Sequence, residues 1–106
     1  MTPQEKSDFS LNKFFVYILF SLKDKKLYIG YTSNLKARFV EHNSGRVTST
    51  KNRKPLQLIY YEAFTNKDDA KSREVFLKSG FGRSQLKKSL QRTLEILEYK
   101  NLSSKV

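Results

Sequence analysis

From Phe14 to Ser21 and again from Leu27 to Thr32 the chain is dense in aromatic and β-branched residues. The polar run Lys23-Asp24-Lys25-Lys26 between them predicts a turn, so the pair reads as a β-hairpin. With a turn of two or four residues, strand alternation puts Tyr17, Leu19, Tyr28, Gly30 and Thr32 on one face and Val16, Ile18, Phe20, Leu27, Ile29 and Tyr31 on the other. The second set is the more uniformly apolar and predicts the core side. That leaves a cleft on the tyrosine face, with Gly30 opening space beside Tyr28. Leu56 to Phe64 reads as a third, strongly aromatic strand.

Helical periods fill the rest. Ser33 or Asn34 can cap a helix from Leu35 to Asn43, with Gly45 placed to end it. Its stripe is Leu35, Arg38, Phe39 and His42, so Arg38 and His42 share a face one turn apart where apolar residues would be expected. Thr65 or Asn66 can cap a second helix starting near Lys67, with Asp68 and Asp69 at its positive dipole end and Gly80 and Gly82 to stop it. Its stripe Ala70, Arg73, Glu74, Leu77 sets a carboxylate at the edge of a buried face. Ser84 can start a last helix whose Leu86, Leu90, Leu94 and Leu97 supply a core stripe. These elements predict an α+β fold, a three-stranded antiparallel sheet flanked by helices. Residues 1–12 lack an apolar period and read as a flexible leader, and 101–106 as a flexible tail.

Composition narrows the function. Twenty-one Lys and Arg against ten Asp and Glu give a net charge of +11 in 106 residues, enough for one domain, 13–100. A field of that sign recruits a polyanion, most commonly nucleic acid, and no obligate protein partner is evident. The chain has no cysteine and one histidine. Thiol chemistry and cysteine-held zinc are excluded, and a hard ion on carboxylate and water is favoured. The longest apolar run, Phe14 to Phe20, is far below the ~20 residues of a membrane helix. No membrane association is expected, and the polar opening predicts a cytoplasmic protein.

The order of these residues resembles the GIY-YIG nuclease family, from about Phe14 to Leu90, and most of all its small single-domain bacterial members and the amino-terminal domain of the excinuclease C subunit. The family's first tyrosine falls on Tyr17, in Phe15-Val16-Tyr17, and its second triplet is intact as Tyr28-Ile29-Gly30. Its helical arginine and the histidine or tyrosine after it fall on Arg38 and His42. Its metal-binding glutamate falls on Glu74, in Ala70-Lys71-Ser72-Arg73-Glu74. Thr50-Lys51-Asn52-Arg53-Lys54-Pro55 also resembles the small-protein subgroup. Tyr31 stands where several relatives carry lysine. The asparagine that follows the glutamate in excinuclease C has no counterpart, although Ser79, Ser84 or Gln85 can supply hydrogen bonds there.

The resemblance implies a GIY-YIG-like fold and a metal-dependent DNA endonuclease acting on structured, damaged or single-stranded DNA in repair or processing. Glu74 would hold one Mg²⁺ or Mn²⁺, and Arg38 would neutralise phosphate through its planar fork. Tyr17 would be the base, with Tyr28 positioning water or phosphate; the two tyrosines can exchange roles. Free tyrosine ionises near ~10, so His42, ordinarily near 6.5, would take or relay its proton. Lys51, Arg53, Lys54, Lys78, Arg83 and Lys87 are candidate phosphate contacts. Each residue also has an ordinary reading: tyrosines pack on half-buried strands, Arg38 can pair with Glu62, and Glu74 with Lys78. The alternative function is a non-catalytic nucleic-acid-binding module on the same fold.

Overall fold

Alternating aromatic and β-branched residues build β1 (Phe14–Ser21), β2 (Leu27–Thr32) and β3 (Leu56–Phe64), at the bounds the sequence predicts. The structure, a computed structural model, describes residues 13–99; the expected leader and tail lie outside them. The sheet is antiparallel in the order β2-β1-β3, which makes β1 the central strand. Phe20 pairs with Leu27 and Tyr17 with Gly30, so the loop holds an even number of residues and the two predicted faces are correct. The β1–β3 register shifts between Ile18 and Leu19. Beyond this irregularity Leu58 sits opposite Leu19, while Tyr61 sits opposite Tyr17.

Four helices among the described residues are α1 (Leu35–Asn43), α2 (Lys67–Lys78), α3 (Gly80–Ser89) and α4 (Gln91–Ile96). Of the alternative caps, Asn34 starts α1 by accepting from Ala37 N–H at 3.1 Å, and Asn66 starts α2 by accepting from Asp69 N–H at 3.0 Å. The third helix differs from expectation. It begins at Gly80 rather than Ser84, because Ser79 caps it by accepting from Gly82 N–H at 3.1 Å. Gly80 and Gly82 lie inside this helix and do not stop its predecessor. A side chain at Gly82 would run into the Phe76 carbonyl, so glycine permits the tight corner between α2 and α3. The expected single helix through Leu97 is also broken, at Leu90.

On the Val16 face Val16, Ile18, Phe20, Leu27 and Ile29 are buried with Ala70 and Leu77 of α2, Leu86 of α3, Leu94 of α4 and Tyr99. The opposite face is not the open cleft that the sequence suggested. Leu35 and Phe39 of α1 pack on Tyr17, Leu19, Leu56, Leu58 and Tyr28, and Tyr17 is left 1% exposed. Asn43 fastens this helix to the sheet edge. It donates to Leu56 O and accepts from Leu56 N–H, both at 2.8 Å, in place of a neighbouring strand. Gly30 is explained by the same closure. A Cβ there would meet the Tyr17 hydroxyl, so the glycine makes room for Tyr17 rather than for a ligand beside Tyr28.

Candidate active site

The tyrosine face carries polar groups that a purely packed face would lack. Tyr17, at the middle of the central strand, and His42, in the last turn of α1, are both buried, with Tyr17 Oη and His42 Nε2 2.8 Å apart. Tyr28 completes a three-ring cluster, its centroid 5.0 Å from the His42 ring and 6.3 Å from the Tyr17 ring. His42 Nδ1 lies 2.7 Å from the hydroxyl of Thr50, also buried. A buried imidazole with both nitrogens partnered meets the requirement that desolvated polar groups be hydrogen-bonded.

Arg38, one turn before His42, turns its guanidinium toward the Tyr17 oxygen and donates to Glu41 Oε1 at 2.9 Å. The pairing with Glu62 is not made. Glu62 instead accepts two hydrogen bonds from Arg73, at 2.9 and 3.0 Å, and one from Tyr60 at 2.7 Å. Glu74 comes from the helix on the other side of the sheet, yet its charge reaches the Tyr17 hydroxyl. Its Oε2 is 2.9 Å from Lys78 Nζ, the pair one helical turn apart that the spacing allows. Residues from β1, β2 and α1 thus gather around one phenol oxygen, with Glu74 of α2 acting on it through its charge alone.

Electrostatics set that oxygen apart. Burial pushes Tyr17 up to about 12, against the pull of the Arg38 guanidinium, while Tyr28 and Glu74 push in the same direction as burial. His42 is held down at about 4, first by burial and then by Arg38. Proton transfer from Tyr17 to His42 runs against both shifts, since burial disfavours the phenolate and the imidazolium alike. An imidazole that resists charge at this depth favours His42 as a hydrogen-bond partner of the phenol over a group that takes up the proton.

A divalent ion was expected on Glu74. Among the described residues no group of three or more His, Asp or Glu side chains could hold a metal. One carboxylate still suits Mg²⁺ or Mn²⁺, which keep most of their waters and take phosphate oxygens as remaining ligands. Lys78 bonds one Glu74 oxygen, so an ion there would share the carboxylate with that ammonium or displace it.

The predicted phosphate contacts do not form one patch. Lys51 and Lys54 are exposed in the loop after α1, whereas Lys78, Arg83 and Lys87 lie on the helices of the other sheet face. Lys87 places its ammonium over the Tyr99 ring, 5.3 Å from the centroid. Arg53 has partners within the protein. It donates to Asp24 at 2.6 and 3.3 Å and to Leu27 O at 3.2 Å, tying the hairpin turn to the loop, so its guanidinium is already engaged. Ser79 is likewise committed as a cap, and its hydroxyl donates to Phe76 O at 2.6 Å. Sequence reasoning missed Thr50 as the partner of His42, since nothing local marks one threonine in a basic loop. It also missed Phe15 and Tyr61, which pack edge to face at 6.2 Å on the face of Tyr17; Tyr61 is 52% exposed.

Comparison with known proteins matches residues 13–88 to the GIY-YIG catalytic domain. The chain is 46% identical over 81 residues to a UPF0213 protein from the ldhD 5′ region of Pediococcus acidilactici, covering 74% of this chain and 82% of the relative. It is 42% identical to a UPF0213 protein of Staphylococcus haemolyticus, covering 74% of this chain and 95% of the relative. No solved structure matches the chain.

Proposed function

Since the chain belongs to the GIY-YIG catalytic-domain family, a family of nucleases, we propose that it is a metal-dependent DNA endonuclease acting in the cytoplasm on structured, damaged or single-stranded DNA. The observation that carries this reading is the Tyr17 hydroxyl, sunk between His42 and Arg38 and within reach of the Glu74 charge. Phosphodiester attack gathers negative charge, and a guanidinium already in place stabilises it without reorganisation. Arg38 supplies that charge and would stabilise the phenolate formed when Tyr17 gives its own proton to a phosphate or water oxygen, after which Tyr17 would take the proton of the attacking water. His42 holds the phenol oxygen in position, and Tyr28 borders the same pocket of rings. Glu74 would hold one Mg²⁺ or Mn²⁺, which lowers the barrier to departure of the leaving oxygen.

Phe15 and Tyr61 favour a substrate with unpaired nucleotides. The exposed Tyr61 ring, with Phe15 half-buried against it, can stack bases that a duplex keeps paired, a contact worth ~1–3 kcal/mol per base. Lys51 and Lys54 would track the backbone. The test is cleavage of labelled duplex, flap and single-stranded DNA and of RNA, each with Mg²⁺, with Mn²⁺ and with chelator. Metal-dependent cutting of flap or single strand ahead of duplex is the expected result. The second reading, a binding module without turnover, is favoured by the Lys78 ammonium on Glu74; salt-sensitive binding with no cutting under any metal would establish it.

A further inference from the structure

We infer that Thr50 is a positioning residue whose buried hydroxyl donates its proton to His42 Nδ1, holds the imidazole as the Nε2–H tautomer and aims that N–H at the Tyr17 oxygen. The inference deepens the nuclease reading and rests on it for its catalytic consequence alone. Thr50, His42 and Tyr17 are 0%, 0% and 1% exposed and are joined in series at 2.7 and 2.8 Å. A neutral imidazole offers one donor and one acceptor, so the series runs in one of two directions. Each direction leaves one hydroxyl proton to be satisfied elsewhere.

If Nδ1–H donated to Thr50, the threonine proton would need a second acceptor. Among the described residues the Thr50 hydroxyl bonds only to His42. The loop holds Thr50 in place, because its N–H donates to Val47 O at 3.1 Å and its carbonyl accepts from Arg53 N–H at 2.8 Å. An unmade bond at a fully buried hydroxyl is the costly arrangement. In the other direction the proton left over is that of Tyr17. Tyr17 adjoins Arg38, whose side chain is 36% exposed, so this end of the series, unlike the Thr50 end, borders a group that solvent or a phosphate oxygen can reach. Once that proton has gone, the phenolate needs donors only. Nε2–H and the Arg38 guanidinium both supply them, whereas the reverse tautomer would point a nitrogen lone pair at the anion. Thr50 thus acts on the chemistry through His42, as the outer partner of a histidine fixes its tautomer in other sites.

The chain has a single histidine, so ¹⁵N-histidine labelling gives one pair of imidazole nitrogen signals. In the wild type Nδ1 should resonate as an acceptor and Nε2 as a protonated nitrogen. Thr50→Val should move the pair toward the opposite tautomer and Thr50→Ser should restore it, with amide spectra reporting the fold. A protonated Nδ1 in the wild type overturns the proposal whatever the variants do, and so does an unchanged pair in a folded Thr50→Val protein. Turnover should fall roughly ten- to hundredfold in Thr50→Val with KM unchanged, the usual scale for a lost orienting partner, and recover in Thr50→Ser. Absence of cleavage by the wild type would sink the nuclease reading and leave the tautomer result standing.

Discussion

The two faces of the sheet are built from alternate residues of the same three strands, yet they are closed by different means. On the Val16 face the partners are Ala70, Leu77, Leu86 and Leu94, and burial of apolar side chains holds the helices down. On the tyrosine face α1 brings an imidazole against a phenol and a threonine, and their mutual hydrogen bonds offset the desolvation of three polar groups. The first closure is tolerant, since aliphatic side chains of similar volume exchange at modest cost. The second is not, because each member leaves its neighbours unpaired when it is removed. The proposed chemistry would sit on the face where geometry is most constrained.

Helix α2 offers the sharpest way to break that comparison, because Glu74, proposed to hold the ion for the tyrosine site, and Leu77, in the apolar core of the Val16 face, are three residues apart. Glu74→Gln should abolish metal-dependent cleavage while DNA binding stays intact or tightens, since a negative charge has left a phosphate-facing site. Tyr17→Phe should slow turnover by ~10² or more, as expected for a lost proton-transfer group. Single-turnover assays and thermal melts on the same preparations check both. Residual activity in Glu74→Gln equal to the wild type would remove the carboxylate from the mechanism.

Leu77→Ala should do the reverse. The side chain is 1% exposed among the apolar residues of the Val16 face, so its truncation should cost about 2–5 kcal/mol in denaturant unfolding. Turnover measured well below the melting temperature should change little. A large loss of turnover with unchanged stability would show that the two faces are coupled.

Acid supplies a further perturbation, and above the carboxylate range it acts on the tyrosine face through His42. His42 charges near 6.5 when unfolded and at about 4 when folded, so the unfolded state binds more protons between those values and stability falls as pH drops. Its contribution is fully present above about 6.5 and lost by about 4, a change of about 3 kcal/mol. Urea unfolding across that window should show the slope in the wild type and a shallower one in His42→Gln. Equal slopes in both proteins would mean that His42 is not buried neutral.

How much of this was legible beforehand follows from the range of each interaction. Strand bounds, the two-faced parity of the hairpin and the Glu74–Lys78 pair depend on residues within a few positions of one another, so periodicity and spacing determined them, and they narrowed each of the first two helix caps to two neighbouring residues. The order of Tyr17, Tyr28, Arg38, His42 and Glu74 likewise carried the family and the candidate site. Tertiary structure decided what those residues touch. The bond from Tyr17 to His42 spans 25 positions and that from Arg53 to Asp24 spans 29, and neither leaves a periodic trace. The sequence placed Tyr17 on the less apolar face and therefore beside a cleft; only the docking of α1, pinned by Asn43 on Leu56, turned that position into a buried one. Burial, in turn, is what drives Tyr17 up and His42 down and makes Thr50 matter, because a polar group withdrawn from water is governed by the few partners that remain within reach.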